Sequence, residues 1–429
     1  NWNSAQTVTV TGVNDSIIDG NITSTLTVTV NDGSSDNDFD PVADQTVSVT
    51  TVDNDAAGFT ITQSGGSTSV AETGTTDTFT VVLDAQPASN VVINITSSDT
   101  GEATVTGTLT FTPANWNSAQ TVTVTGVNDN LVDGTQTSTL TVTVNDGSSD
   151  NDFDGVADQT VSATTTDNDV AGFTIAQSGG STSVAETGTT DTFTVVLDAQ
   201  PASNVVLTIT SSDTGEATVT SSLTFTNANW NSAQTVTVTG VDDNIIDGTI
   251  TSNITIAVLD ETSDNAFDAL SNQTVSVTTT DNDVAGFTIA QSGGSTSVSE
   301  SGTTDTFTIV LNAQPTSDVV LSISSSDTGE ATVTSLLSFT TANWNSAQTV
   351  TVTGVDDNLV DGTKNSTITI TVVDVISDDS FDSVADQTVS AATTDNDVAG
   401  FTITQSDGST SVSESGTTDT FTVVLNAQP

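Results

Sequence analysis

The sequence predicts an all-β chain: a tandem array of immunoglobulin-like antiparallel sandwiches, seven to eight strands each, with a period of 114 residues. Three observations predict it. The segment Asn-Trp-Asn-Ser-Ala-Gln-Thr-Val-Thr-Val-Thr-Gly-Val begins at Asn1, Asn115, Asn229 and Asn343, a constant step of 114 residues. A fixed period of domain length marks one repeated unit rather than one large fold. Within the period, Val, Ile, Leu and Phe alternate with Thr and Ser at a spacing of two, the pattern of half-buried strands. Gly, Pro, Asn, Asp and Ser gather between these runs, and no helical period occurs.

A second landmark, Ala-Gly-Phe-Thr-Ile, places its glycine at Gly58, Gly172, Gly286 and Gly400. Cutting there gives complete units over residues 58–171, 172–285 and 286–399. Residues 1–57 read as the C-terminal half of a unit and residues 400–429 as the N-terminal start of another, so the sequence reads as a window onto a longer array. In the first complete unit, period-two alternation predicts strands over 59–63, 67–72, 78–83, 91–96, 103–111, 121–127, 137–144 and 160–166. Ser-Gly-Gly-Ser splits the first of these runs from the second, whereas 103–111 reads as one strand.

Composition narrows the function. The chain carries 55 acidic residues against a single basic one, Lys364, with no Arg and no His. Fourteen of the acids fall in residues 58–171, a density that repels itself unless cations or salt screen it. Nucleic acid is excluded as a partner because phosphate recognition needs Lys and Arg, and an anionic membrane surface is excluded for the same reason. No run of 18 apolar residues predicts a membrane-inserting segment. With no cysteine, neither disulfides nor thiolate metal sites hold the units together. Catalysis has little to work with, since His, Cys, Tyr and Arg are absent and the acids recur in every unit, so the sequence does not read as an enzyme.

Strand order locates the acids. Successive strands of a sandwich run alternately up and down, so every second loop lies at the same end. With the split run 59–72 and the run 103–111 each counted as one strand, the loops bearing Glu72 and Asp77, Asp99 and Glu102, and Asp129 and Asp133 fall at the end where the last strand exits into Asp167-Asn168-Asp169. Carboxylates brought together in this way repel and raise each other's pKa, and a cation relieves the repulsion. An oxygen-only ligand set suits Ca²⁺, while the lack of His and Cys disfavours transition metals.

The residues also carry a family resemblance. Val70-Ala71-Glu72, the segment 107–111 leading to Trp116, Val127-Asn-Asp-Asn-Leu-Val-Asp-Gly134, and Thr166-Asp-Asn-Asp169 followed by Ala-Gly-Phe resemble the Calx-beta domain over the whole unit and in all three complete copies. The resemblance implies a Ca²⁺ site at the exit end of each sandwich. Carried over by motif position, its ligands are Glu72, Glu102, Asp129, Asp133, Asp167 and Asp169 in the first complete unit, Glu186, Glu216, Asp243, Asp247, Asp281 and Asp283 in the second, and Glu300, Glu330, Asp357, Asp361, Asp395 and Asp397 in the third. The sequence departs from the family pattern in a shorter loop at Glu102, in Asn128 replacing one of the paired aspartates, and in a reduced acidic run at Asp133-Gly134-Thr135. Fewer carboxylates imply fewer or weaker ions than a signalling Calx-beta domain binds.

Other motifs have plainer readings. Asp150-Asn-Asp-Phe-Asp-Gly155 carries the start of a calcium loop, but 264–269 and 378–383 lose the glycine and the middle carboxylate, which favours a solvated turn with Phe153 packed back onto the sandwich. Trp2, Trp116, Trp230 and Trp344 read as plugs at the sandwich end rather than as sugar-stacking platforms. The expected function is a structural array, secreted or on a cell surface: the Ca²⁺-rigidified stalk or fibre of a very large bacterial adhesin. Its expected partners are calcium ions, neighbouring repeats and identical chains in a fibre. The alternatives are the building unit of a self-assembling filament or surface layer and, third, a Ca²⁺-dependent carbohydrate- or protein-binding module, for which 260–262 and 374–376 are the variable positions.

Overall fold

Threonine-rich runs of this alternation form strands because β-branched side chains fit a pleated, half-buried surface. The computed structural model describes residues 2–429, and all its extended elements are strands joined by turns and single 3₁₀ turns. In residues 1–57, β1 (Ile22–Val28) and β2 (Gln45–Thr51) pair antiparallel. The next 114 residues contain β3 (Phe59–Gln63), β4 (Thr68–Ala71), β5 (Thr76–Leu83), β6 (Val91–Ser97), β7 (Ala103–Val105), β8 (Thr108–Phe111), β9 (Gln120–Gly126), β10 (Gln136–Val144) and β11 (Gln159–Thr166). They build two sheets, ordered β3-β5-β9-β7 and β4-β11-β10-β6-β8. Every pairing is antiparallel except that of β4 with β11. Residues 172–285 and 286–399 repeat both sheets strand for strand.

Between the sheets lies an apolar core. Phe79, Val81, Ile93, Phe111, Val122, Leu140 and Phe153 are buried in the first complete repeat, with Trp116 partly buried against them. Equivalent, separate clusters centre on Phe193 and Phe225, and on Phe307 and Phe339. Side chains alternate between core and surface along each strand, so in β5 Phe79, Val81 and Leu83 are buried while Thr80 and Val82 between them are only partly so.

The run 103–111, expected as one strand, is two. β7 belongs to the first sheet and β8 to the second, and Thr106 and Gly107 make the crossing. Their backbones hydrogen-bond to different sheets: the Thr106 amide donates to Thr123, while the Gly107 carbonyl accepts from Ile95. The run 59–71 crosses likewise through Gly65 and Gly66, both at positive φ, where glycine carries no steric cost.

Candidate metal centre

Four strand ends meet at one end of each sandwich, and each delivers acids. β4 runs parallel to β11 with Ala71 opposite Thr166, and the Glu72 amide donates to the Thr166 carbonyl at 3.1 Å. Gly126, at the end of β9, makes this approach feasible: a Cβ there would overlap the Ala71 carbonyl. Glu102 opens the turn into β7, and its carbonyl accepts from the Val127 amide at 2.8 Å and the buried Thr165 hydroxyl at 3.3 Å. Asp129 and Asp133 follow β9, and Asp167 and Asp169 follow β11.

Asp167 organises the loops. Its Oδ2 accepts from the amides of Asp133 (3.1 Å) and Gly134 (2.8 Å), and its Oδ1 accepts from the Asp169 amide at 2.6 Å. Asp129 Oδ1 accepts from the Leu131 amide at 2.7 Å, and a Glu72 carboxylate oxygen accepts from the Asn168 amide at 3.3 Å. Asp281 and Asp395 clip the second and third loops in the same way, with Asp243 and Asp357 accepting from Ile245 and Leu359.

Carboxylate oxygens then converge into two groups that share one glutamate. Oxygens of Glu72, Asp129 and Asp169 lie within 4.8 Å of one another, as do those of Glu72, Glu102 and Asp133. The second repeat brings together Glu186, Glu216 and Asp247, and Glu186, Asp281 and Asp283; the third brings together Glu300, Glu330 and Asp361. Asp77 and Asp99, which strand order places at this end, are used locally instead: Asp77 accepts from the Ser69 and Thr78 amides, and Asp99 from that of Gly101.

The electrostatics are unfavourable to carboxylates left alone. Burial, followed by the charges of Asp133, Glu72 and Asp129, pushes the Glu102 carboxyl up to about 7, and Glu216 is pushed up to about 7 by burial and Asp247. Burial likewise raises Glu72, Asp133, Asp169 and Glu330 above the ordinary carboxylate range. Glu102 is 7% exposed and Glu300 1%. One oxygen each of Glu102, Asp133 and Asp169 is nevertheless buried without a protein hydrogen-bond partner, as are oxygens of Glu216, Asp247 and Asp283, and of Glu300, Glu330, Asp361 and Asp397. Buried acceptors without donors are costly, and those of Glu102, Asp133 and Asp169 recur at the equivalent positions of each repeat. The donor set is oxygen alone and anionic, so these residues fit a hard divalent cation such as Ca²⁺.

The same loop faces two ways. Between Asp129 and Asp133, Leu131 bridges Gln200 of the next repeat, where the Gln200 amide donates to the Asn130 carbonyl at 2.7 Å and the Val132 amide to the Gln200 carbonyl at 2.9 Å. The Val132 side chain packs against the next repeat's core together with Ala171, and Ile18 with Ala57, and Ile246 with Ala285, do the same at the other junctions. The apolar pair inside the acidic loop, present in all four copies as Ile17-Ile18, Leu131-Val132, Ile245-Ile246 and Leu359-Val360, was the available signal for this docking.

Residues 1–57 keep the aspartate half of the centre, outside the predicted ligand set. Asp53 accepts from the Asp19, Gly20 and Asp55 amides, and Asp15 from that of Ile17, so the loop clip forms without the glutamates. The calcium-loop-like segment at Asp150 is an exposed structural turn, as expected, anchored by two buried side chains, Asp150 and Phe153. Asp150 accepts from the Ser89 and Asp152 amides, hydrogen bonds that hold its carboxyl below the usual range against the opposing effect of burial, and Phe153 is fully buried.

No protein-family model matches the sequence, and no curated protein matches it. Among solved structures, the chain is similar to the crystal structure of CBD12 from CALX1.2, with 12% identity over 51% of this chain and 99% of that one and a TM-score of 0.22. It is similar to domains 4–9 of the surface layer protein SbsC at 19% identity, over 82% of this chain and 52% of that one, with a TM-score of 0.22. The extracellular cadherin domains 1–4 of protocadherin gamma B7 match at 12% identity, over 82% of this chain and 80% of that one, with a TM-score of 0.30.

Proposed function

We propose that the chain is a structural, extracellular array in which Ca²⁺ stiffens the junction after each repeat, a segment of the stalk or fibre of a large surface protein. On this reading the repeating units are residues 58–171, 172–285 and 286–399, and the ligands are the six acids of each. The observation that carries it is the pair of carboxylate groups sharing Glu72, with buried unpartnered oxygens, built on the loop that docks the next repeat. Without cation, repulsion and desolvation of these acids work against the loop conformation; an ion neutralises them and fixes the loop that presents Leu131 and Val132. Rigidity of the joint is then linked to ion binding, and a millimolar affinity suffices where calcium is abundant.

Endoproteinase Lys-C has one site in the chain, after Lys364, which begins the strand leaving the third centre. Slow cleavage in calcium and fast cleavage in chelator are expected, yielding two fragments. Equal rates would contradict a calcium-ordered junction.

A further inference from the structure

The chain's only lysine stands at an acidic centre. Lys364 Nζ lies 3.2 Å from Asp361 Oδ2, the one ion pair between side chains among the described residues. The other oxygen of Asp361 is buried without a partner and belongs to the group formed with Glu300 and Glu330. The equivalent position is Gln136 in the first complete repeat, where the side-chain amide donates to the Asp133 carbonyl at 2.9 Å, and Ile250 in the second.

The second repeat is an internal control. Its acids Glu186, Glu216, Asp242, Asp243, Asp247, Asp281 and Asp283 match Glu300, Glu330, Asp356, Asp357, Asp361, Asp395 and Asp397 one for one, and Asp213 matches Asp327. Lys364 is therefore the charged difference between the two centres. An exposed ion pair adds little to fold stability, and this one is partly exposed, at 46% for Lys364 and 20% for Asp361. A divalent ion held by the same carboxylate experiences the ammonium differently, because its two charges double the repulsion at short range.

Resting on the calcium reading above, we infer that Lys364 is a built-in counter-cation that weakens the third centre for Ca²⁺ relative to the second, making the joints of the array unequal. The third joint then loses its ion first as calcium falls. It also retains part of its charge neutralisation when the ion is gone.

The test is calorimetric titration of the full chain with CaCl₂, comparing the parent with Lys364→Gln and Lys364→Arg. At low ionic strength the parent should show a class of sites roughly five- to twentyfold weaker than the rest, by the Coulomb energy of one added charge. Lys364→Gln should tighten that class, Lys364→Arg should leave it unchanged, and high salt should shrink the difference. If parent and Lys364→Gln bind Ca²⁺ identically, or if Lys364→Arg behaves as Lys364→Gln, the inference is overturned while the calcium reading stands. If none of the three binds Ca²⁺, the calcium reading itself falls and takes the inference with it.

Discussion

The Val132 amide donates to the Gln200 carbonyl, 2.9 Å away, across the boundary between two repeats, while its neighbour Asp133 faces the carboxylate centre of its own repeat. Docking residues and clustered carboxylates thus alternate along one loop. Replacing Val132 with Ser removes apolar packing from the next repeat's core but no carboxylate. The expected result is a loss of about 1 kcal/mol from that repeat, by the cost of deleting buried methyl groups, with calcium stoichiometry unchanged. Thermal unfolding and calcium titration of the same variant check both halves.

On the calcium reading, an ion and a proton would compete for the Glu102 carboxylate. Glu102→Gln keeps the shape and removes a charge that is raised in pKa by burial and by its acidic neighbours. In chelator at pH 8 the variant should be more stable than the parent by about 2 to 3 kcal/mol, the scale of roughly two pKa units. In calcium the order should reverse, because the ion loses a ligand. A variant less stable in both conditions would show that Glu102 acts through packing alone.

The pH dependence has a definite sign. Glu102 and Glu216 have folded-state pKa values raised to about 7, above the ordinary glutamate value. A raised acid contributes stability that is full below its unfolded pKa and is lost as pH rises through its folded pKa. The calcium-free chain should therefore lose stability between about pH 4.5 and 7, the window bounded by those two values. With saturating calcium the trend should be flattened or inverted, since deprotonation favours the ion. Melting curves at stepped pH, with and without chelator, read this directly.

Asp167 is a clip as well as a predicted ligand. Asp167→Ala leaves the amides of Asp133, Gly134 and Asp169 without their acceptor. Charge-assisted bonds of this kind make the expected loss about 2 kcal/mol or more, even in chelator. Asp129→Ala, which frees only the Leu131 amide, should cost less in chelator and show most of its effect in calcium. Comparable losses for the two in chelator would contradict the division of roles.

Much of this molecule is legible from residue order. The 114-residue step and the alternation of Val, Ile and Phe with Thr predict the sheets, and counting strands brings Glu72, Glu102, Asp129 and Asp167 to one end, where the structure groups the first three with Asp133 and Asp169 and bonds Asp167 to the Asp133 and Gly134 amides. Two things are not legible. The crossing at Thr106 and Gly107 is hidden because Ala103, Val105, Leu109 and Phe111 keep one unbroken period of two, although the residues before and after Gly107 serve different sheets. The role of Asp167 is hidden because its partners are backbone amides, which every residue but proline carries. Asp77 and Asp99 show the converse, acids delivered to the correct end and consumed by turns.

The most direct test is small-angle scattering of the full chain, titrated with calcium and then with chelator at one ionic strength. If calcium stiffens the junctions, the calcium-bound chain gives a longer maximum dimension and a narrower spread of conformations, and chelator shortens and broadens it. Superimposable profiles in calcium and chelator, at protein concentrations where calcium binding is independently measured, would contradict it.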